Sequence, residues 1–513
     1  MPDWLEPLHD AASMRATDAW AIEHEGVPSL ELMEAAGRAV AEAAIGLARP
    51  GPARAVCGKG NNGGDGIVAA RHLAASGLES EVLLTSPAAE LSPDARANLE
   101  RFEGAVSELD PEDPASRLEG SGVIIDAIFG TGFTGTARGP AAGAIEAVNN
   151  AAAPVVAADI ASGVDASTGE VEGPAVQAST TVSFHAAKLG HWIAPGKRHA
   201  GKLVVAPIGI PADAPQDPAG GLIREPILAL PPARGAASTK FSSGQVLIAG
   251  GSRGLTGSVC MAAEAAIRSG AGYATVAVPA ELEAIFEIKL TEAMSVGCPS
   301  ADGALAAGAA GPIIAAAERA AAVAVGPGLG RTDAARPLVA ELAHGIAAPL
   351  VIDAGGLDAV AHDLEQLARR DAPTVLTPHA GELGRLLGVD SSAVDARRLA
   401  SAREAAERAG AVVALKGDDT IVVGPGGQPL VNGLSSPGLA TAGTGDVLTG
   451  IVAALLARGL GPREAVATAV YGHARAGRIA ARRAGAPEAV VAGDVIAAIG
   501  AGLGPATGAE SPT

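Results

Sequence analysis

Short apolar runs, each closed by Gly, Pro or Asp, alternate along the chain with Ala-rich stretches of helical spacing. In the first part, "ARAVCG", "SEVLLT", "GVIIDAIF" and "PVVAADI" predict buried parallel strands. The helical patterns "IVAARHLAAS" and "GPAAGAIEAVNNA" lie between them, and "TTVSFH" and "LVVAPIGI" predict two later strands. The stretch "PADAPQDPAGG" has no periodicity and reads as a connector. After "ALPPARGAAS" the alternation restarts at "GQVLIAGGS". It continues through "YATVAVP", "AAVAVGPGLG", "PLVIDAGG", "PTVLTPH", "AVVALKG" and "TIVVGP", and long Ala-rich helices follow. The fold class is therefore α/β, with a mostly parallel sheet and helices on both faces in each half. The pattern divides the chain into a domain at 1–211, a linker at 212–235 and a domain at 236–513, with no internal repeat.

Composition narrows the picture. Of 513 residues, 48% are hydrophobic and only 2% aromatic, so the cores must be built from Ala, Val, Leu and Ile. The 68 Gly and 35 Pro punctuate apolar runs and so belong to turns and ligand loops. A net charge of −19 argues against nucleic acid as a partner, which would call for a basic face. Three cysteines, Cys57, Cys260 and Cys298, give neither a disulfide framework nor a zinc spacing. The amino-terminal residues form no signal sequence, and no apolar run reaches the ~18 residues of a membrane span. A cytoplasmic enzyme or binding protein is expected, with no membrane partner.

Ligands of such sheets bind beyond the carboxyl ends of the strands. The first such loop, "GKGNNGGDG", carries Gly58, Gly60 and Gly63 in the G-x-G-x-x-G spacing of a dinucleotide fingerprint. That fingerprint also uses a carboxylate at the end of the next strand. Here this strand ends in Leu84, Thr85 and Ser86, with Glu81 at its start, which makes a dehydrogenase the weakest reading. Asn61, Asn62 and Asp65 instead put oxygen-bearing side chains among the glycines, an arrangement suited to cations and hydroxyl-rich groups. "DAIFGTGFTGTARG" places Asp126 at a strand end, followed by small residues suited to phosphate. "DIASGVD" places Asp159 and Ser162 at another strand end. Asn62, Asp126 and Ser162 are candidates to share one hard cation. Asp159 is a candidate acceptor or base facing a ribose or nicotinamide.

Together with "LMEAAG" and "KLGHWIAPGKRHAGKL", these motifs resemble the epimerase domain of NAD(P)H-hydrate repair enzymes over roughly residues 10–211. The resemblance implies a Rossmann-like three-layer domain that interconverts the R and S hydrates of NADH and NADPH beside a bound K+. It places substrate on Asn61, Asn62, Gly63, Gly64 and Asp65, on Gly130, Thr131, Gly132, Phe133, Thr134, Gly135 and Thr136, and on Asp159. It places K+ on Asn62, Asp126 and Ser162. Ala161 and Ala187 stand where the family often has Pro, and neither removes a ligand.

The strongest chemical signal lies in "GLATAGTGDVLTGIVAALLARG". Gly443 and Gly445 lead into Asp446 at the start of a helix, where backbone N–H groups make an anion hole and an Asp is placed as a general base. Lys416 and Thr420 flank a turn between two strands. Gly328 follows another strand, and His379 and Glu382 follow a third. "GGSRGLTGS", "GPGLG", "VIDAGGLD", "TPHAGE", "LKGDDT" and "GTGD" resemble the ADP-dependent NAD(P)H-hydrate dehydratase domain over roughly residues 236–502, a ribokinase-like α/β fold. The resemblance implies that Ser258, Gly328, His379 and Asp446 bind the hydrate. It assigns Lys416, Gly417, Asp418, Asp419, Thr420 and Gly445 to the adenine nucleotide, with ADP as co-substrate and Mg2+ beside it. Ala380 replaces a usual Pro, and Ser258 a usual Ala. The whole chain thus reads as a repair enzyme that epimerises both hydrates and dehydrates the S form, with Asp446 and Asp159 as catalytic residues and a homo-oligomeric state expected. A vitamin-pathway kinase with an accessory nucleotide-binding domain, or a regulatory nucleotide-binding protein, would leave the first half without a task.

Overall fold

The computed structural model describes residues 1–211, 214, 217–361 and 363–504. The chain forms two compact units, Pro7–Gly220 and Met1–Glu6 with the chain from Gly221 on. The strands, in chain order, are β1 (Leu5–Leu8), β2 (Ala53–Cys57), β3 (Ser80–Leu84), β4 (Ala105–Glu108), β5 (Val123–Ala127), β6 (Val155–Ala158), β7 (Thr180–Phe184), β8 (Lys202–Ala206), β9 (Gly220–Ile223), β10 (Gln245–Ala249), β11 (Tyr273–Pro279), β12 (Met294–Cys298), β13 (Ser300–Ala301), β14 (Ala304–Leu305), β15 (Ala322–Val325), β16 (Leu350–Ile352), β17 (Thr374–Leu376), β18 (Val412–Leu415), β19 (Ile421–Val423) and β20 (Leu430–Val431).

The Pro7–Gly220 unit is built on a seven-stranded sheet, β4-β3-β2-β5-β6-β7-β8, parallel throughout. Apolar cores on its two faces hold Val40, Ile67 and Leu73 on one side and Ile124, Ile145 and Val148 on the other. The other unit has an eleven-stranded sheet, β1-β9-β20-β19-β18-β17-β16-β15-β10-β11-β12. It is parallel from β12 to β18 and antiparallel where β18, β19 and β20 meet. Strand β9 falls inside the expected linker, and residues 212, 213, 215 and 216 of that linker lie outside the described residues. Strand β1 precedes the first anticipated strand and closes the edge of the second sheet beside β9.

The glycines of "GKGNNGGDG" have a packing task. The helix Asn61–Ala75 begins at Asn61, so Asn61 to Asp65 form its first turn and are not loop. A methyl group on Gly63 would collide with the Gly58 carbonyl oxygen, and one on Gly58 with that of Ile128. On Gly64 it would meet Met33, and on Gly66 the Cys57 and Ala127 side chains. These glycines set how closely the helix approaches β2 and β5. The obstacle at Gly63 is backbone and cannot swing aside, so Gly63→Ala should destabilise the unit by about 1–3 kcal/mol. Urea unfolding of the variant checks this.

Candidate active site

In the first unit the strand ends bring the anticipated polar residues together in two groups. Asp126, the fourth residue of β5, is fully buried. Its carboxylate accepts from the Ser162 hydroxyl at 2.5 Å, the Ser162 N–H at 2.8 Å and the Ile128 N–H at 3.3 Å. The Asn62 amide donates to the Phe129 carbonyl at 2.9 Å, and the Phe129 N–H donates to Ser162 Oγ at 2.9 Å. Asn62, Asp126 and Ser162 therefore meet around the Phe129 peptide. Burial pushes the Asp126 pKa up to about 6, and none of its hydrogen-bond partners carries a positive charge.

The second group surrounds Asp159, which follows β6 with φ +65°. Its Oδ1 accepts from Lys188 Nζ at 2.5 Å and from the Phe184 N–H at 3.2 Å, and its Oδ2 from the Thr131 hydroxyl and N–H. Lys188 is 0% exposed, and its ammonium also donates to Ser183 Oγ at 2.9 Å and the Phe184 carbonyl at 3.0 Å. His191 Nδ1 accepts from the Lys188 N–H at 3.0 Å, so its Nε2 carries the hydrogen donated to the Asp159 carbonyl at 2.9 Å. Burial, then the Lys188 charge, push His191 down to about 3 and keep it neutral. Asp159 is held below the usual carboxylate range: Lys188 and Thr131 outweigh its burial. A cavity of about 180 Å³ is lined by Asp159, Thr131, Asn61, Asp65 and Asp18. Of the segment Gly130 to Thr136, Thr131 lines the cavity, and Phe133 stacks on Phe129 at 4.6 Å. Lys188, His191 and Asp18 were not singled out from sequence. The signal lay in "KLGH", a lysine and a histidine within an otherwise apolar, Gly-bearing stretch.

In the second unit, Gly443 takes φ +90° as N-cap of the helix Thr444–Ala457, which places Asp446 in its first turn, clear of the capping position. The Ser258 hydroxyl donates to Asp446. Gly328, at φ +63°, packs against Ser258 and the Leu255 carbonyl, and Gly445 lies against Lys416 Nζ. Lys416 reaches Asp353 at 3.0 Å and Glu382 at 3.6 Å, and Thr449 donates to the other Asp353 oxygen at 2.7 Å. Burial, followed by repulsion from Asp353, lifts Asp446 to about 6, while Lys416 draws it down. Asp353 and Glu382 complete this cluster, and their motifs "VIDAGG" and "PHAGE" were visible without marking them as partners of one lysine.

His379 has a structural task as well as a place beside the cluster. Its Nδ1 accepts from the Gly381 N–H at 3.0 Å, and Glu382 returns a bond to the His379 N–H, which makes a capping box. Asp419 is buried with its carboxylate engaged by Arg398 at 2.8 and 3.0 Å, so its side chain faces inward. The Thr420 hydroxyl closes the turn onto Gly417. A cavity of about 510 Å³ beyond it is lined by Gly417, Asp418, Thr420, Ser436 and His473. His473 Nε2 and Ser436 Oγ are buried there without a hydrogen-bond partner among the described residues. All three cysteines are buried free thiols. Among the described residues no helix is long and apolar enough to cross a membrane, and no cluster of three His, Cys, Asp or Glu could hold a metal ion.

Residues 246–501 match a family model described as NAD(P)H-hydrate dehydratase, and residues 29–190 one described as YjeF-related protein N-terminus. The chain is 41% identical over 504 residues to the bifunctional NAD(P)H-hydrate repair enzyme Nnr of Moorella thermoacetica, covering 95% of each chain. It is 38% identical to the Nnr of Thermofilum pendens over 482 residues, 92% of each. An ADP/ATP-dependent NAD(P)H-hydrate dehydratase from Bacillus subtilis, co-crystallised with ATP/Mg2+, is 27% identical and covers 54% of this chain and 94% of its own, with a TM-score of 0.47.

Removing the cation bonded to the buried Asp159 should be severe. Lys188→Met should destabilise the first unit by about 3–5 kcal/mol, because an uncompensated carboxylate is left inside. A thermal melt at neutral pH should show the loss, and a melt at acid pH, where Asp159 takes up a proton, should show less of it.

Proposed function

The chain belongs to the bifunctional NAD(P)H-hydrate repair enzymes, and on that premise we propose how its residues perform the two reactions. It epimerises the R and S hydrates of NADH and NADPH and dehydrates the S hydrate. The observation that carries the dehydratase assignment is the convergence of Ser258, Gly328, Gly445 and Asp446 beside Lys416.

The hydrate carries a hydroxyl at C6 of the nicotinamide ring. Hydroxide is a poor leaving group, and phosphate a good one. Asp446 takes the C6 hydroxyl proton as the oxygen attacks the terminal phosphorus of ADP, which forms the phosphate ester and releases AMP. The C6–O bond then breaks toward phosphate, a C5 proton leaves, and the ring double bond is restored. The N–H groups of the Gly443–Gly445 turn and Lys416 stabilise the charge on the transferring group. Adenine fits the cavity lined by Gly417, Thr420 and Ser436, where His473 Nε2 and Ser436 Oγ offer hydrogen-bonding positions.

Lys416 faces three carboxylates, Asp353, Glu382 and Asp446, so the site retains negative charge suited to Mg2+ carried in on the nucleotide phosphates. Bound there, Mg2+ would offset charge on the phosphates. In the first unit, the buried Asp126 carboxylate, Ser162 Oγ, the Phe129 carbonyl and the Asn62 side-chain oxygen are hard oxygen donors with a single negative charge, a set suited to K+. That ion would supply the countercharge that Asp126 lacks and hold the Phe129–Thr136 loop against the substrate.

Asp446→Asn should abolish ADP-dependent conversion of S-hydrate to NADH and leave epimerisation intact; loss of both in equal measure would overturn the assignment. As a base, Asp446 works only when ionised. Dehydratase kcat/KM should therefore rise as pH climbs through about 6, and Lys416→Met should move that rise to higher pH. Epimerisation by the wild type should increase with K+ concentration, and in Asp126→Asn it should become independent of K+.

A further inference from the structure

The first unit holds a third buried carboxyl group, besides Asp126 and Asp159, to which the assignments above give no chemical role. Asp65 lies in the first turns of the Asn61–Ala75 helix and is 8% exposed. Its position is fixed by packing: Gly63, Gly64 and Gly66 press the helix onto its neighbours, and Gly37 sits against the Asp65 carbonyl. Asp65 lines the cavity shared with Asp159 and Thr131, and among the described residues no hydrogen bond or ion pair is made to its carboxyl. Lys188 is not available, because all three of its N–H donors are taken by Asp159, Ser183 and Phe184.

We propose that Asp65 is the general acid of the epimerase, acting with the Asp159 carboxylate on the C6 oxygen of the hydrate. The inference rests on the epimerase reading of this unit. C6 is bonded to both the ring nitrogen and the hydroxyl, so the hydroxyl can leave as water once protonated. Asp65 gives its proton to that oxygen, the C6–O pair departs with water, and the N1 lone pair forms the N1=C6 bond. Water returns to the opposite face of C6, the double-bond pair returns to N1, and Asp159 takes the surplus proton. No oxidant or other reactant is consumed. The proton on Asp159 returns to Asp65 through cavity water, and the reverse reaction exchanges the two roles.

The two carboxyl groups are kept in opposite protonation states by their surroundings. Asp159 is bonded to Lys188. Asp65 faces Arg15 and Asp18 from the helix Ala11–Glu23, Asp94 from the helix Pro93–Glu100, Asp159 beyond β6 and the Cys57 thiol behind it. Burial first, then the Asp159 and Asp18 charges, raise Asp65 well above the usual carboxylate range. Divergent environments of this kind separate an acid from a base in one pocket.

The test is the conversion of R- to S-hydrate without ADP, followed by chromatography at several pH values. Asp65→Asn keeps the shape and removes the proton. It should lower kcat by about 100-fold or more with little change in KM, and abolish the alkaline decline that the wild type shows as Asp65 ionises. The variant should melt no lower than wild type, because it removes a buried ionisable group from beside two like charges. In Asp65→Ala, formate should restore part of the rate, more so at acid pH. Asp65→Asn turning over within about threefold of wild type, or formate giving no rescue, would overturn the proposal while leaving the epimerase reading intact. A wild-type enzyme with no epimerisation at all would overturn both.

Discussion

In each unit one lysine faces three carboxylates, Lys188 fully buried and Lys416 partly so. Lys188 sits among Asp18, Asp65 and Asp159, and Lys416 among Asp353, Glu382 and Asp446. A single positive charge does not fully offset three carboxylates wholly or partly withdrawn from water. In each case one carboxylate takes the lysine at hydrogen-bond distance, Asp159 at 2.5 Å and Asp353 at 3.0 Å. Of the remaining carboxylates, Asp65 is raised well above the usual range and Asp446 is lifted to about 6. The chemistry proposed for both sites follows from this imbalance.

The parallel sheets supply the rest. A strand buried on both faces can carry a carboxylate only at its end, where the chain leaves the sheet and backbone N–H groups are free to bond it. Asp126 is held by the N–H groups of Ile128 and Ser162, and Asp159 by those of Thr131 and Phe184. The loops after β5 and β6 leave adjacent strands at the same end of the sheet, so polar side chains from successive strands come within reach of each other.

Much of this was legible in the sequence. Buried parallel strands are apolar runs, and β2, β3, β5, β6 and β7 stand out as such. Strands β4, β9 and β20 are short or lack an apolar run bounded by turn residues, and β1 lies in a polar stretch. Strand-end Asp, Asn and Ser residues could be placed from the strands they follow. Lys188 could not, because its burial depends on Asp159, Ser183 and Phe184, three partners set by the tertiary fold. The glycines carry a second task that their spacing does not reveal. Their spacing matched a ligand loop, and they also meet the demand of close approach of a helix to the sheet. That demand is common to many α/β turns, and a spacing rule cannot separate it from phosphate binding.

The edge strand β1 has a consequence for how the chain is made. Residues Leu5 to Leu8 join β9, which pairs in turn with β20 at Leu430–Val431. During synthesis the first strand emerges more than two hundred residues before its partner β9, while the intervening chain can form its own sheet. The amino terminus must therefore wait, unpaired, until the second sheet is assembled. A fragment begun at residue 236 would lack both β1 and β9, leaving the outer backbone of β20 bare. Dissection of the two activities calls for a cut that keeps these strands.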